Sequence, residues 1–550
     1  MEFPELAHDA LLHKLDLPRK EHLEQTLDAA RHAAVISPLL QARTSSSHAV
    51  VVDEHSPLLL ATTKTDFALA VADAILEAEE QQAVQEDERL RAAEIIAFEW
   101  RQLAWLSAPM MVAGLLDIMP DMMLSIMAGH LSTTNSTHYL AALSLSTVFQ
   151  VFIIDGTING FASAMDTLCS QAFGGKRFKE MWLFSQAGFV LYLMSFPAMA
   201  LVLLSGRSIL ETLGQDPAIA VLTGKVLALA VIAVPFNMVY STMKSSLQAQ
   251  NIAAPFMVAS LLGWVVSGTS AYMLAYHTSL GFLGIALASP ISWCVKSIIL
   301  SPVLLRNQVF TKHWPGWQLA EAFSLVPKVA TLGFSSFLMV TSQMIGYGSI
   351  SLLAGLLPNA ATMISANSIY VSLLALFVMP LTAFCIAAAI RIGNALGGGQ
   401  ARRAALLSRV VLVSALSVSL LAMAIMGLVA SSFANNFTED EDARREATTL
   451  IHRLMLMVPI MGLALGLQGI FRACGKQMMC AQFNFLFLFL VGVPCGLLLA
   501  IQYDEGVAGL WRGHMVGYAL FLAASFLWLY RLKWTAMAHE AKHNTNLHLA

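Results

Sequence analysis

Charged residues are scarce in this sequence. Only 12% of its 550 residues are Asp, Glu, Lys or Arg, and 57% are apolar, whereas roughly 25% of the residues of an ordinary soluble domain are charged. This scarcity excludes a chain that faces water along most of its length. The formal net charge of −3 provides no basic field for a nucleic acid. We therefore expect a membrane protein that contacts the lipid bilayer and has no nucleic-acid partner.

The motifs of pumps, enzymes and metal sites are also missing. The six cysteines have no zinc-like pair spacing and imply no disulfide framework. The segments "LTGKVL" and "RACGKQ" lack the spacing or the final hydroxyl of a phosphate-binding P-loop. There is neither a catalytic His–acid pair nor a nucleophile elbow. We therefore predict a protein that is not an enzyme, with no catalytic residue, no bound metal and no cofactor.

Long apolar runs, in contrast, are abundant. Twelve of them have the length of about 20 residues with which a helix crosses a bilayer. They are continuously apolar, which favours helices, because the strands of a membrane barrel are short and alternate between apolar and polar residues. The runs lie at residues 106–128, 140–162, 184–204, 219–240, 255–276, 282–305, 329–355, 365–390, 404–430, 449–470, 480–501 and 508–531.

The distribution of Lys and Arg predicts the orientation of the chain. Loops that follow even-numbered runs hold most of these residues, as in "GGKRFK" at 174–179, and cytoplasmic loops carry the excess of positive charge. Both termini are therefore expected in the cytoplasm. The first hundred residues are rich in Glu, Asp, His, Gln and Ser and predict a largely disordered tail. Within it, Glu54, Leu58 and Leu59 resemble the acidic dileucine signal of sorting adaptors, with a disordered segment as the alternative.

Repeated segments indicate an internal duplication. "QAFGGKR" at 171–177 is echoed by "NALGGGQ" at 394–400, with an offset of 223 residues. "LQAQNI" with "FRACGK", and "GFLGIA" with "GVAGLW", have offsets of 224 and 225 residues. The duplicated unit therefore contains six helices, and because six is even the two copies share one orientation, with an axis along the membrane normal. The Gly-Gly pairs are predicted to let the chain turn sharply out of a span.

The predicted fold is an all-α polytopic membrane protein. It has twelve transmembrane helices in two six-helix lobes, which are related by pseudo-two-fold symmetry. The predicted parts are a cytoplasmic tail at 1–102, an N-lobe at 103–310 (spans 1 to 6), a C-lobe at 311–532 (spans 7 to 12) and a second cytoplasmic tail at 533–550.

Several segments carry a resemblance to a known family. They are "SAMDTLCSQAFGG" (163–175), "LQAQNI" (247–252), "LLAGLLPN" (352–359), "IRIGNALGGG" (390–399) and "GIFRACGKQ" (469–477). In order and across both lobes they resemble the multidrug and toxic compound extrusion (MATE) family, in particular its eukaryotic branch, within the MOP flippase superfamily. The resemblance implies a secondary antiporter with two six-helix bundles, which exports organic, often cationic, compounds against H⁺ or Na⁺. It does not identify the substrate.

Three acids lie inside the predicted N-lobe spans. Asp117 and Asp121 are four residues apart and share one face of the first helix, and Asp155 precedes Asn159 by one turn in the second span. An ionisable residue within the bilayer is costly, and its default interpretation is functional. We therefore predict that these four residues bind the coupling cation or the substrate. For Asp155 the alternative is a structural hydrogen bond to Thr157 or a neighbouring backbone group, and which aspartate carries the coupling stays open.

The C-lobe departs from the pattern of the family. Its predicted spans contain no Asp or Glu, and the resemblance implies that Gln343, Gly348 and Met461 stand where relatives have glutamates. Gln343 can hydrogen-bond a substrate but cannot exchange a proton. Coupling is therefore either carried by the N-lobe aspartates, as in bacterial-type members, or lost. We favour the N-lobe aspartates, because three intramembrane acids would otherwise be an unexplained cost.

Aromatic and histidine side chains complete the set of candidates. Tyr347 and Tyr370 are predicted to line the substrate cleft and to stack on an aromatic cation, with ordinary core packing as the alternative. His130 and His514 are isolated from other metal ligands and are predicted to lie in loops or at the membrane interface.

These observations predict an antiporter that exports organic cations, drugs or amphipathic metabolites in exchange for protons, or for sodium ions. One alternative is a lipid or lipid-linked flippase, which the mid-span base Lys296 keeps open because such substrates carry pyrophosphate. Another is a membrane sensor that transports nothing. We expect a monomer in a vacuolar, lysosomal or plasma membrane.

Overall fold

The computed structural model describes residues 80–131, 136–437 and 441–546. The chain divides into two compact units between Arg89 and Leu90. Of the first unit, residues 80–89 are described, and they are helical. The predicted sorting signal at Glu54, Leu58 and Leu59 lies outside the described residues. Among the described residues, the helices that are long and apolar enough to cross a membrane lie in the second unit.

The second unit confirms the predicted all-α fold with two six-helix lobes. Among the described residues, eleven single helices have the length and composition of a membrane span, and a bent pair of helices provides the twelfth. We label these spans α1 to α12, and each contains most or all of one predicted apolar run. They are α1 (Ala92–His130), α2 (Thr137–Gly174), α3 (Phe178–Leu204), α4 (Pro217–Ala249), α5 (Ala254–Tyr276), α6 (Phe282–Leu305), α7 (Leu319–Ala354), α8 (Thr362–Gly397), α9 (Ala401–Asn436), α10 (Glu441–Arg453 with Met457–Ala473, bent by 56°), α11 (Gln477–Gln502) and α12 (Gly506–Arg531). A further helix, α13 (Trp534–Thr545), follows them.

Helix α1 begins earlier than the apolar run predicts. Residues 92–102 were expected in a disordered tail, but they form the first turns of α1. Ile95 and Leu103 are each only 1% exposed. Glu99 is equally buried, and its carboxylate pairs with the guanidinium of Arg391 in α8 at 2.6 Å. The helix therefore extends beyond its apolar run because packing and an ion pair compensate for the polar residues.

The interface between the lobes repeats the duplication. In the duplicated order α7 corresponds to α1 and α8 corresponds to α2. Helix α1 packs against α8, and α7 packs against α2, so that each contact has its counterpart in the other lobe. Helices α2 and α8 also contact each other directly. These two helices therefore lie beside the pseudo-two-fold axis.

The two Gly-Gly motifs meet at this axis. A Cβ atom added to Gly174 would overlap the carbonyl oxygen of Asn394, and one added to Gly397 would overlap the carbonyl oxygen of Gln171. Gly174 and Gly397 therefore serve the close approach of two helix ends. The predicted sharp turn out of a span is present in the second motif, where Gly399 has a φ of 73°. The left-handed backbone after α2 belongs instead to Lys176, with a φ of 56°. We call the contact of Gln171, Gly174, Asn394 and Gly397 the glycine junction.

Two hydrogen bonds at the glycine junction are also related by the duplication. Gln171 Nε2 donates to the carbonyl oxygen of Ala473 at 2.9 Å. With its amide oriented to satisfy its neighbours, Asn394 donates to the carbonyl oxygen of Ala249 at 3.2 Å. Each lobe thus provides one amide side chain and one helix-end carbonyl. The junction is therefore closed by polar contacts as well as by packing.

Helix α13 lies across the same end of the molecule. The guanidinium of Arg177, in the connection after α2, donates to the hydroxyl of Thr545 at 2.9 Å. Lys328 in α7 donates to the carbonyl oxygen of Asn544 at 2.6 Å. The ammonium of Lys476, between α10 and α11, pairs with Glu540 at 2.7 Å. Helix α13 is therefore fastened to both lobes.

The close approach at the glycine junction leads to the first prediction. Gly174→Ala and Gly397→Ala should each open the junction, because an overlap with backbone atoms cannot be relieved by rotating a side chain; such overpacking costs about 1–3 kcal/mol. We expect a longer distance between spin labels at positions 179 and 409, measured by pulsed electron resonance. Gly348→Ala in α7 is the matched control, because a Cβ there meets nothing within 4 Å. Unchanged distances in both junction variants would contradict the prediction.

Candidate functional site

An ion pair lies inside the N-lobe. The ammonium of Lys296 in α6 is 2.7 Å from a carboxylate oxygen of Asp117 in α1. The Lys296 side chain is only 5% exposed, and that of Asp117 is 34% exposed. Lys296 also lies over the ring of Trp293 at 4.5 Å, and Gly263 in α5 leaves room for its aliphatic stem. The lysine is therefore enclosed, whereas its partner carboxylate borders open space.

The other two predicted acids lie next to this pair. Asp121 follows Asp117 by one turn of α1, with Pro120 between them inside the helix, and its side chain is exposed. Asp155 ends the π-helical turn Gln150–Asp155 of α2. It is close enough to interact electrostatically with Asp121, Asp117 and Lys296. The structure therefore brings the three predicted aspartates together.

The π-helical turn helps to place Asp155. Such turns are rare and occur mostly as local bulges, often at functional sites. Asn159 follows Asp155 by four residues in the α-helical part of α2 and has an exposed side chain. Residues four apart share a helix face, so Asn159 lies on the same side of α2 as Asp155. We call Asp117, Asp121, Asp155 and Lys296 the N-lobe ionic cluster.

The N-lobe ionic cluster has an excess of acids. The cluster contains three carboxylates and one ammonium, and Lys244 in α4 also acts electrostatically on Asp117, so the carboxylates still outnumber the lysines. Asp117 is neutralised by Lys296, whereas Asp121 and Asp155 have no second lysine among the groups that act on them within the described residues. An unpaired charge in a membrane interior is costly. Asp121 and Asp155 are therefore suited to take up a proton or a cation.

The predicted C-lobe residues form a neutral network. Gln343 Nε2 donates to the hydroxyl of Tyr347 at 3.1 Å and to the hydroxyl of Tyr518 at 3.0 Å. The two hydroxyls share a hydrogen bond of 2.6 Å. Gln343 thus hydrogen-bonds tyrosines of α7 and α12, and one of them is Tyr347, which the sequence named as a separate candidate.

Tyr370 joins this network through an indole ring. It is fully buried, and its ring meets the edge of Trp511 with centroids 4.9 Å apart. Trp511 in turn lies 6.0 Å from the Tyr347 ring and donates from Nε1 to Asn367 at 2.8 Å. Tyr370 therefore has the core packing that was its alternative interpretation. We call Gln343, Tyr347, Tyr370, Trp511, His514 and Tyr518 the C-lobe aromatic cluster.

The sequence analysis did not predict two features of these clusters, the burial of His514 and the pairing of Lys296 with Asp117. His514 was predicted in a loop or at the interface, but it is fully buried within α12. The signal was present, because position 514 lies inside the apolar run at 508–531. The pairing of Lys296 with Asp117 had no such signal, because 179 residues separate the two.

Comparison with known proteins identifies the class and then the family. The fold and the ionisable groups within its spans define a membrane transporter. The MatE family matches residues 109–273 and 332–498, one segment in each lobe. Protein DETOXIFICATION 16 of Arabidopsis thaliana is 30% identical over 452 residues, which are 82% of this chain and 90% of that protein. The chain therefore belongs to the MATE family of multidrug and toxin extrusion transporters.

Further relatives agree with this assignment. Multidrug and toxin extrusion protein 1 of Homo sapiens is 29% identical over 464 residues, covering 82% of this chain and 78% of that protein. The crystal structure of the eukaryotic MATE transporter AtDTX14 superimposes with a TM-score of 0.76 at 22% identity, covering 82% of this chain and 100% of that structure. This structural likeness shows the shared fold.

The buried ion pair leads to the second prediction. Lys296→Ala should destabilise the protein, because it leaves the Asp117 carboxylate without its partner. We expect a loss of about 2–3 kcal/mol, below the 3–5 kcal/mol of a fully buried pair. Lys296→Met combined with Asp117→Asn should restore most of the stability. Arg207→Ala is the control, because it breaks the exposed pair with Glu211, and such pairs contribute about 0–1 kcal/mol.

The measurement is thermal unfolding in detergent. Equal midpoints for Lys296→Ala and Arg207→Ala would show that the N-lobe pair contributes no more than a surface pair, against the prediction.

Proposed function

We propose that this transporter exports organic cations or amphipathic metabolites in exchange for protons, by alternating access of the cleft between its lobes. The observation that carries the proposal is the N-lobe ionic cluster, in which three carboxylates face one lysine. Its excess of negative charge favours a cationic substrate over an anionic one. A carboxylate that is protonated no longer attracts a cation, so proton and substrate compete for the same groups. Exchange follows from this competition.

The residues of the N-lobe ionic cluster have different roles in this mechanism. Asp121 is exposed and would contact the arriving cation first. Asp155, on the neighbouring helix, would share that cation or take up the coupling proton. Lys296 holds Asp117 in its ionised form and prevents the cluster from carrying three unpaired negative charges. A proton on Asp121 or Asp155 then releases the substrate, and substrate binding in turn expels the proton.

The state of the lobes supports the direction of export. The glycine junction is closed, and α13 lies across it. Positive loop charge assigns this end of the molecule to the cytoplasm, so the lobes meet on the cytoplasmic side. In the proposed cycle this closed state exchanges its cargo for protons on the opposite side. Opening of the glycine junction then admits new substrate from the cytoplasm.

Location and partners are part of the same proposal. The chain is an integral membrane protein with many spans, and we place both termini in the cytoplasm of a vacuolar, lysosomal or plasma membrane. Glu54, Leu58 and Leu59 would bind a sorting adaptor. The coupling ion is H⁺, with Na⁺ as the alternative, and the working unit is a monomer.

A flippase for lipid-linked substrates is the second candidate. Lys296 is a basic residue in the middle of a span, and an anionic pyrophosphate group would require such a positive charge. However, its ammonium is already paired with Asp117 at 2.7 Å, and the cluster as a whole is acidic. A polyanionic substrate would have to overcome two unpaired carboxylates. The charge of the N-lobe ionic cluster therefore favours the antiporter.

The third prediction tests this mechanism in reconstituted vesicles. Efflux of a fluorescent organic cation should follow an imposed pH gradient. Asp121→Asn or Asp155→Asn should reduce gradient-driven efflux by about tenfold or more, because an amide cannot take up the coupling proton. Asp216→Asn is the matched control: Asp216 caps α4 at the surface, and Asn is an equally good cap.

Three outcomes would contradict the proposal. Full gradient-driven efflux in both variants would exclude the N-lobe aspartates from the coupling. Efflux that follows a Na⁺ gradient and ignores pH would exclude proton coupling. No efflux of cations, together with movement of a pyrophosphate-linked lipid between leaflets, would favour the flippase.

A further inference from the structure

His514 lies at the centre of the C-lobe aromatic cluster. Its side chain is fully buried, and neither ring nitrogen has a hydrogen-bond partner among the described residues. A buried polar group without a hydrogen-bond partner destabilises the fold, so packing alone does not account for this arrangement. Gly346 in α7 provides the space that the imidazole occupies, because a Cβ there would lie 2.6 Å from its Cε1 atom.

Aromatic rings surround the imidazole on several sides. The centroids of Tyr347 in α7 and Tyr518 in α12 are each 5.5 Å from the centroid of His514. The centroid of Trp511 is 6.1 Å away. Cations are attracted to the faces of aromatic rings within about 6 Å. An imidazolium at His514 would therefore lie among three aromatic rings, with no carboxylate acting on it within the described residues.

No fixed charge competes for this position within the described residues. The titratable groups that face His514 are the phenols of Tyr347 and Tyr518. Tyr370, in α8, packs against Trp511. No charged side chain acts on the imidazole. Arg512, the nearest base along α12, is paired with Glu505. On α11, a Cβ added to Gly492 would lie 3.5 Å from the Cα atom of His514.

His514 lies close to the C-lobe positions Gln343 and Met461. Gln343 and Met461, two positions where the lobe lacks an acid, both contact the hydroxyl of Tyr347, whose ring packs against His514. Histidine is the side chain whose unperturbed charge changes between about pH 5 and 8. The C-lobe thus has a titratable group next to the positions at which carboxylates are missing.

We propose that His514 binds a proton within the C-lobe and that this proton takes part in the exchange cycle. The step adds H⁺ to the free ring nitrogen to form an imidazolium among the rings of Tyr347, Trp511 and Tyr518, and later returns it. Its role in exchange rests on the proposed antiport, whereas proton binding itself does not. Together with the proposed role of Asp121 or Asp155, this would give each lobe a proton-binding site.

The first test measures proton binding without transport. An imidazolium quenches a neighbouring indole, so acidifying the purified protein should lower its tryptophan emission in one step as His514 takes up its proton. The step should be lost in His514→Gln. It should also be lost in Trp511→Phe, which leaves His514 intact and keeps the test valid if the first variant fails to fold. His452→Gln is the matched control, because His452 is exposed on α10.

The second test measures the pH profile of exchange. His514→Gln should lower proton-driven efflux by about fivefold or more, the lower range of coupling between two sites, and should flatten its dependence on pH. His452→Gln should leave the profile unchanged.

The results separate the two proposals. A fluorescence step that persists in both His514→Gln and Trp511→Phe, or no step in the parent protein, would overturn proton binding at His514. A parental pH profile in His514→Gln would overturn its part in exchange. If the N-lobe aspartate variants also export normally, the proposed antiport mechanism fails, while the fluorescence result still decides whether His514 binds a proton.

Discussion

The cost of an unpaired charge in lipid is the constraint on which this structure depends. Most of the chain avoids that cost, because only 12% of its residues are charged. One group of charged residues within the spans is the N-lobe ionic cluster, where Lys296 compensates Asp117 and leaves Asp121 and Asp155 without a lysine of their own. A membrane protein keeps such groups when they bind something that crosses the bilayer. In the proposed mechanism, cargo and proton are exchanged at this remaining negative charge.

The contact between the lobes has a different requirement: it must be able to open and close again. Gly174 and Gly397 allow backbone to touch backbone, and Gln171 and Asn394 add one hydrogen bond from each side. Another contact between the lobes is an ion pair, because the buried carboxylate of Glu99 in α1 pairs with the guanidinium of Arg391 in α8 at 2.6 Å. Opening must break these polar contacts, and a ligand can drive it only by its different affinity for the closed and open states. Helix α13 then adds polar contacts that both lobes must break before they separate.

The sequence predicted those features that have a local signature. Apolar runs predicted the twelve spans, and offsets of 223 to 225 residues predicted the two lobes. The spacing of Asp117 and Asp121 placed both on one helix face. Contacts between distant helices have no such signature: Lys296 is 179 residues from its partner, and the glycine pairs have the same letters whether they serve a turn or a close approach. Tertiary packing decides these cases, and it also buries His514.

The symmetry of the scaffold contrasts with the chemistry of its two interiors. Helices α1 and α7 occupy equivalent places, yet α1 contributes Asp117 and Asp121 to an ionic cluster, whereas α7 contributes Gln343 and Tyr347 to a neutral one. A rocking motion needs equivalent contacts on both sides of the axis, and the glycine junction provides them. Selective binding needs no such equivalence, because a charge in one lobe is sufficient to attract a cation into the cleft. Duplication could therefore preserve the junction while the two interiors diverged, so that electrostatic attraction is concentrated in the N-lobe and aromatic stabilisation in the C-lobe.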